Sequence, residues 1–196
     1  MAERRTSPET QPSVRRSLLK QILVVTILAS FTVLLIGGYW IYESLAPRPA
    51  KVVDPKGEVL TTAAQIKGGQ AVYQKYGLMD YGSVLGHGSY LGPDYTAETL
   101  HIAVTAMQDF HARRDYGKPF ADLDKAQQAA IEKKVRTEIK ENRYDPETDT
   151  LTLTEAQVYA LQKVREHYRT VFTKGDGNGI LPGLIQEEHM PKSDRA

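Results

Sequence analysis

Five histidines, His87, His101, His111, His167 and His189, are the side chains in this 196-residue chain best suited to hold a metal or carry a proton, and no cysteine accompanies them. Their spacing serves neither purpose well. No two form the H-E-x-x-H pattern that sets two imidazoles on one helix face around zinc. Without cysteine, a disulfide, a thiolate metal site, a nucleophilic thiol and a thioether-attached haem are all out of reach. His87, between Gly86 and Gly88, is the histidine most open to a ligand, although a ring bonded to loop carbonyls is the simpler reading. His101 reads as a boundary residue beside an apolar helix stripe. Met79 and Met107 have the chemistry of axial haem ligands, but core packing explains them better. Asp176-Gly177-Asn178-Gly179 opens like a calcium loop and then offers Ile180 and Pro182 where ligands are needed. Gly82, Gly86 and Gly88 make no nucleotide fingerprint, since no strand precedes them, and no serine or threonine triad can be assembled. An autonomous enzyme is therefore poorly supported by these side chains.

The most unusual stretch is residues 78–94, which holds Gly82, Gly86, Gly88 and Gly92 with Tyr81 and Tyr90 and has neither a helical nor a strand period. Glycine loses more backbone entropy on folding than any other residue, so this density points to positive φ angles or close backbone approaches. The loop must hold its own shape. Helices are expected on both sides of it. Residues 62–76 read as helical, and Asp94 or Thr96 can cap a second helix running to about Tyr116, with Leu100, Ala103, Val104, Met107 and Phe110 at helical spacing. A third helix over 122–143 places Leu123, Ala126, Ala130, Ile131, Val135 and Ile139 on one face. Residues 144–153 are turn-rich, with a short strand or extended arm over 150–153. Thr154 with Gln157 three residues on is a capping-box signature for a fourth helix, lined by Val158, Leu161, Val164, Tyr168 and Val171 and stopped at Gly175.

Residues 21–42 contain no charged side chain. At 1.5 Å rise, roughly 20 such residues cross a hydrocarbon core of about 30 Å, so this is a candidate spanning helix. Arg4, Arg5, Arg15, Arg16 and Lys20 precede it against Glu3 and Glu9, whereas residues 43–58 are charge-balanced. That bias sets the N-terminus inside and the rest of the chain outside. Tyr39, Trp40 and Tyr42 form an aromatic belt at the far end. The rival is a cleavable leader ending near Ser44-Leu45-Ala46, but the apolar run exceeds the roughly 7 to 15 residues of a leader core. The expected organisation is a cytoplasmic disordered tail over 1–17, a transmembrane helix over 18–42, a proline-bearing linker over 43–56, a helical domain over 57–185 and a polar tail over 186–196. Net charge is +1, which supplies no field for nucleic acid, and none is expected as a partner.

Gly69-Gln70-Ala71-Val72-Tyr73 leading into Gly86-His87-Gly88-Ser89-Tyr90-Leu91-Gly92-Pro93-Asp94 resembles the N-terminal region of quinol-dependent nitric oxide reductase, and the likeness includes the anchor helix. The resemblance implies a mainly α chain, with one transmembrane helix followed by a cytochrome c-like helical extracytoplasmic domain. It implies no cofactor in this chain, with haem b and non-haem iron in a polytopic catalytic partner at the cytoplasmic (inner) membrane. The chain is also similar to the cytochrome c subunit of the related cytochrome-dependent reductase. Aligned on Pro93-Asp94, that subunit's two haem-attaching cysteines fall on Leu78 and Tyr81 and its haem-ligating histidine on Gly82. Side chains such as Tyr81 and Met79 are then expected to fill the volume of the porphyrin. Tyr81, Gly86, His87, Gly88, Tyr90, Gly92, Pro93 and Asp94 become candidate interface or structural residues of the loop. The competing reading is a stand-alone exported binding or sensor module with a pocket near His87, Tyr90 and Tyr95.

Overall fold

The computed structural model describes residues 12–44, 47–89, 92–175, 180 and 182–183. The chain divides into two units at Pro47 and Arg48.

Among the described residues the first unit holds one helix, α1 (Pro12–Glu43), in which 17–43 are long and apolar enough to cross a membrane. Proline at the first helical position costs nothing, because its missing N–H is one that the helix would leave unpaired. The helix therefore begins inside the segment read from sequence as a disordered tail; residues 1–11 of that tail lie outside the described residues. Over residues 17–43 the apolar side chains are largely exposed, Leu35 at 72% and Trp40 at 70%. A helix apolar all round is, by length and composition, a candidate membrane span.

The second unit starts with strands β1 (Lys51–Val53) and β2 (Val59–Thr62), followed by α2 (Ala63–Lys75). Thr62 accepts a bond from the Gln65 amide while the Gln65 side chain reaches back to the Thr62 amide, closing a capping box at the start of α2. A 3₁₀ turn at Leu78–Asp80 leads to the short hairpin β3 (Ser83–Val84) and β4 (His87–Gly88). Then come α3 (Tyr95–Tyr116), α4 (Lys125–Lys140), strands β5 (Tyr144–Asp145) and β6 (Thr150–Thr152), and α5 (Glu155–Lys174). Asp124 with Gln127 and Thr154 with Gln157 form two further capping boxes, and Gly117 in the left-handed region ends α3.

Four strands make a small sheet in the order β2-β1-β6-β5, with β1 and β6 parallel and Val52 opposite Leu151. This sheet runs through the stretch read as a linker. Val52 and Val53 are both buried, and the β1–β2 register slips between them. The spacer is thus partly structural, because two buried valines pair with a strand about a hundred residues away.

The main core lies where α3 packs on α5 and α4. Met107, Ala112, Leu123, Ile131, Val135, Ala156 and Ala160 form one buried cluster with Phe110 and Phe120 against it. On α5 the buried positions in this cluster are the small Ala156 and Ala160, while Val158, Leu161 and Val164 are only partly covered. Alanines let two helix backbones approach closely, and hence the contact runs along the small-residue side of the stripe. On α4, Ile131 and Val135 are buried but Ala126, Ala130 and Ile139 are exposed.

A buried polar node ties the same three helices together. His111, 3% exposed, meets Glu138 through Nε2 at 2.7 Å, and Glu138 also accepts a hydrogen bond from the Thr154 hydroxyl at the cap of α5. Glu138 thus serves one partner from α3 and one from α5. Nδ1 of His111 is buried with no hydrogen-bond partner among the described residues.

Candidate functional site

Asp94 organises the glycine-dense loop. As the N-cap of α3, its Oδ1 accepts from the amides of Thr96 at 2.9 Å and Ala97 at 3.1 Å, while Oδ2 accepts from the Ser83 hydroxyl at 2.9 Å and the Gly86 amide at 2.6 Å. One carboxylate therefore closes both the helix end and the hairpin. Ser83 also donates its amide to the Pro93 carbonyl at 3.0 Å, Leu85 donates to the Thr96 hydroxyl at 3.0 Å, and Ser89 donates to the Met79 carbonyl at 3.1 Å. The stretch read as lacking a regular period is a 3₁₀ turn and a hairpin pinned onto a helix N-terminus.

Two of its glycines, Gly82 and Gly92, are required by close approach. A Cβ on Gly82 would lie 2.6 Å from both the Pro93 carbonyl oxygen and Cζ of Tyr95, and one on Gly92 would lie 2.0 Å from the Tyr81 carbonyl oxygen at a φ of +113°. Neither position accepts any side chain without movement of the backbone or of a buried ring.

Behind the loop lies a second cluster, in which buried Tyr95, Val171 and Ile180 are packed by Tyr73, Tyr81, Tyr168 and Phe172. Tyr95 meets Tyr73, Tyr168 and Phe172 with ring centroids at 6.2, 5.9 and 6.1 Å. The Tyr168 hydroxyl donates toward the Tyr95 carbonyl at 3.1 Å and lies 3.1 Å from Glu98 Oε2. Burial, then the Glu98 carboxylate, pushes the Tyr168 phenol up to about 12.

The positions singled out in the sequence separate clearly. Leu78 is buried, Gly82 is buried against the Tyr95 ring, and Tyr81 is half-buried on the aromatic cluster. Met79, expected to fill interior volume beside Tyr81, is 47% exposed, because the 3₁₀ turn sends Leu78 inward instead. Gly86, Pro93 and Asp94 belong to the loop's hydrogen-bond wiring, and Gly86, His87, Gly88 and Gly92 are exposed on its surface. Tyr90 lies outside the described residues, as do His189 and the 176–179 segment with the calcium-loop look. His101 is exposed, Met107 is buried in the main core, and His167 pairs with Glu98 at 3.2 Å.

The pocket expected near His87, Tyr90 and Tyr95 includes Tyr90, which lies outside the described residues; the Tyr95 ring itself is packed against Tyr73, Tyr168 and Phe172. An open cleft of about 530 Å³ lies elsewhere, over the polar node, lined by His111, Lys133, Glu138, Glu141, Arg143 and Thr154. Sequence reading missed that node because His111, Glu138 and Thr154 become neighbours only when three helices pack. No group of three or more potential metal-binding side chains occurs among the described residues.

Covalent haem does not fit this site. There is no cysteine to attach it, and at position 82, where the resemblance puts a haem-ligating histidine, even a methyl group would strike the Tyr95 ring.

The loop's carboxylate carries a pH signature. The Ala97 and Gly86 amides, with Ser83 and Thr96 adding to them, hold the Asp94 carboxyl below its ordinary 3.8. A carboxyl depressed on folding stabilises the folded state above its unfolded value, and that stabilisation is lost as pH falls through the depressed value. Denaturation measured at a series of pH values should show stability declining below about pH 3.8. Asp94→Asn should flatten part of that acid limb, leaving the share of Asp109, Asp115 and Asp145, which are also held low. An unchanged acid limb in Asp94→Asn would show that the hub does not bind its donors as a carboxylate.

Among the described residues, the glycine-dense loop wired to a helix N-terminus belongs to a mostly helical domain, preceded by one helix long and apolar enough to cross a membrane. Residues 49–196 match the family model of the NorB cytochrome c-like domain of nitric oxide reductase, and the chain belongs to that family. Its context is a nitric oxide reductase. No curated protein matches the chain.

Proposed function

We propose that this chain is the non-catalytic anchor and extracytoplasmic domain of a quinol-dependent nitric oxide reductase. The family match over 49–196 is the observation that carries this reading. The reaction, 2 NO + 2 e⁻ + 2 H⁺ to N₂O + H₂O, takes place in a polytopic partner that holds haem b and non-haem iron, as a domain or as a separate subunit. Its described residues supply one candidate span, and its outer unit carries no haem, so electrons do not pass through it. The absence of cysteine and the lack of room at Gly82 support that view. Its role is architectural. The anchor, with its N-terminus inside by the bias of Arg4, Arg5, Arg15, Arg16 and Lys20, holds the domain on the outer face of the cytoplasmic membrane beside the catalytic partner.

The test is affinity purification of the tagged full chain from native membranes in mild detergent. A polytopic protein with b-type haem absorbance should come with it in fixed proportion. Recovery of the chain without any haem-bearing membrane protein would refute the architectural role.

A further inference from the structure

We propose that α2 is a lid over the aromatic cluster, one that opens by unfolding locally while α3, α4 and α5 stay folded. No residue of α2 is buried, and residues 63–71 are exposed without a break. Val72 and Tyr73, near its C-terminal end, are half-covered. At 13 residues α2 is of the length at which, in water, packing of an apolar face decides whether a helix forms. It has little such packing. Ile66 is 41% exposed, and Gly68 and Gly69 sit side by side in mid-helix, each a weak helix former. A Cβ on either glycine would meet nothing within 4 Å, so no close approach requires them.

What holds α2 lies at its two ends. The Thr62–Gln65 capping box and the bond from the Ala63 amide to the Ala50 carbonyl, 2.9 Å, fix its first turn. At the other end Gly77, with a φ of +62°, leads the chain into the 3₁₀ turn, and the Tyr73 ring meets the buried Tyr95 ring edge-on at 6.2 Å. Among the described residues α2 packs chiefly on its chain neighbours, β2 and that 3₁₀ turn. The main core around Met107, Ile131 and Val135 draws no side chain from it.

Melting 63–75 therefore gives up the capping bonds and the Tyr73 contact and leaves the three-helix core intact, which is the condition for a separate opening unit. It also withdraws Tyr73 from Tyr95, baring one side of a ring that is otherwise buried behind the glycine-dense loop. The lid belongs to the outer unit alone, and its opening needs neither the anchor nor a docked partner.

Amide hydrogen exchange of the full chain in detergent micelles, read by mass spectrometry, tests this. Amides of 66–74 should exchange faster than the slowest amides of α3, α4 and α5. Gly68→Ala combined with Gly69→Ala should slow exchange in α2 about twentyfold, the difference in helix propensity between two glycines and two alanines. Ile131→Val, a mild truncation that keeps the fold, should speed the slowest amides of α3, α4 and α5 about fivefold and leave the α2 rate unchanged, because a lid that opens by itself does not depend on core stability. Equal acceleration in α2 and in the core would mean that α2 opens only when the whole unit unfolds, and would overturn the lid. Protection of α2 equal to that of the core, or an α2 rate indifferent to the two alanines, would overturn it as well.

Discussion

Gly92→Ala should unfold the glycine-dense loop and lower the stability of the outer unit by about 3 kcal/mol or more. The added methyl would sit 2.0 Å from the Tyr81 carbonyl oxygen, and the backbone at that point has a φ of +113° that L side chains rarely adopt. Relief requires moving either Tyr81, which packs on the aromatic cluster, or Pro93-Asp94, which caps α3. Both routes damage something the fold uses. Gly86→Ala is the informative control, because its φ is also positive, at +74°, while nothing lies within 4 Å of the new methyl. Its cost should be the backbone term alone, roughly 1 kcal/mol. Thermal denaturation of the full chain, followed by circular dichroism, should show a drop of roughly 10 °C for Gly92→Ala and clearly less for Gly86→Ala. Equal drops would mean that the loop is not held by this close approach.

Ile131→Ala should cost about 3 kcal/mol, while Ile139→Ala, two turns further along the same helix, should cost less than about 1 kcal/mol. Ile131 is 2% exposed within the cluster of Met107, Val135, Ala112 and Ala156, so truncation leaves a cavity that close-packed helices cannot collapse. Ile139 is 36% exposed and loses little. Urea titration of the two variants measures the difference through their midpoints. Similar losses would place the α4 interface on a different face from the one described.

That pair also shows how far sequence reading reached. Helical periodicity located all four outer helices, because caps announce themselves chemically: Thr154 with Gln157 and Asp94 at the start of α3 act as their residue types require. Periodicity did not say how wide the buried stripe would be. Ile139 belongs to the same apolar face as Ile131, yet the partner helix covers only part of it, and on α5 close backbone contact selected Ala156 and Ala160 over the larger Val158 and Leu161. The four-stranded sheet left almost no trace. Strands of two to four residues carry no measurable alternation, and the pairing of Val52 with Leu151 joins distant segments. Glycine density did reveal a loop with its own shape, while the convergence of four donors on Asp94 depends on the hairpin fold. The node of His111, Glu138 and Thr154 was illegible for the same reason, since each residue is unremarkable within its own helix.

The proposed architectural role requires that the space of a cytochrome c haem be taken up by protein, with Tyr95 standing where a ligand at position 82 would project. The most direct measurement is the absorption spectrum, with a pyridine haemochrome assay, of the full chain purified free of partners from cells that make haem abundantly. The account predicts no Soret band and no haem beyond trace amounts, with the helical circular dichroism of a folded chain. Haem bound in one-to-one proportion to folded chain would contradict it.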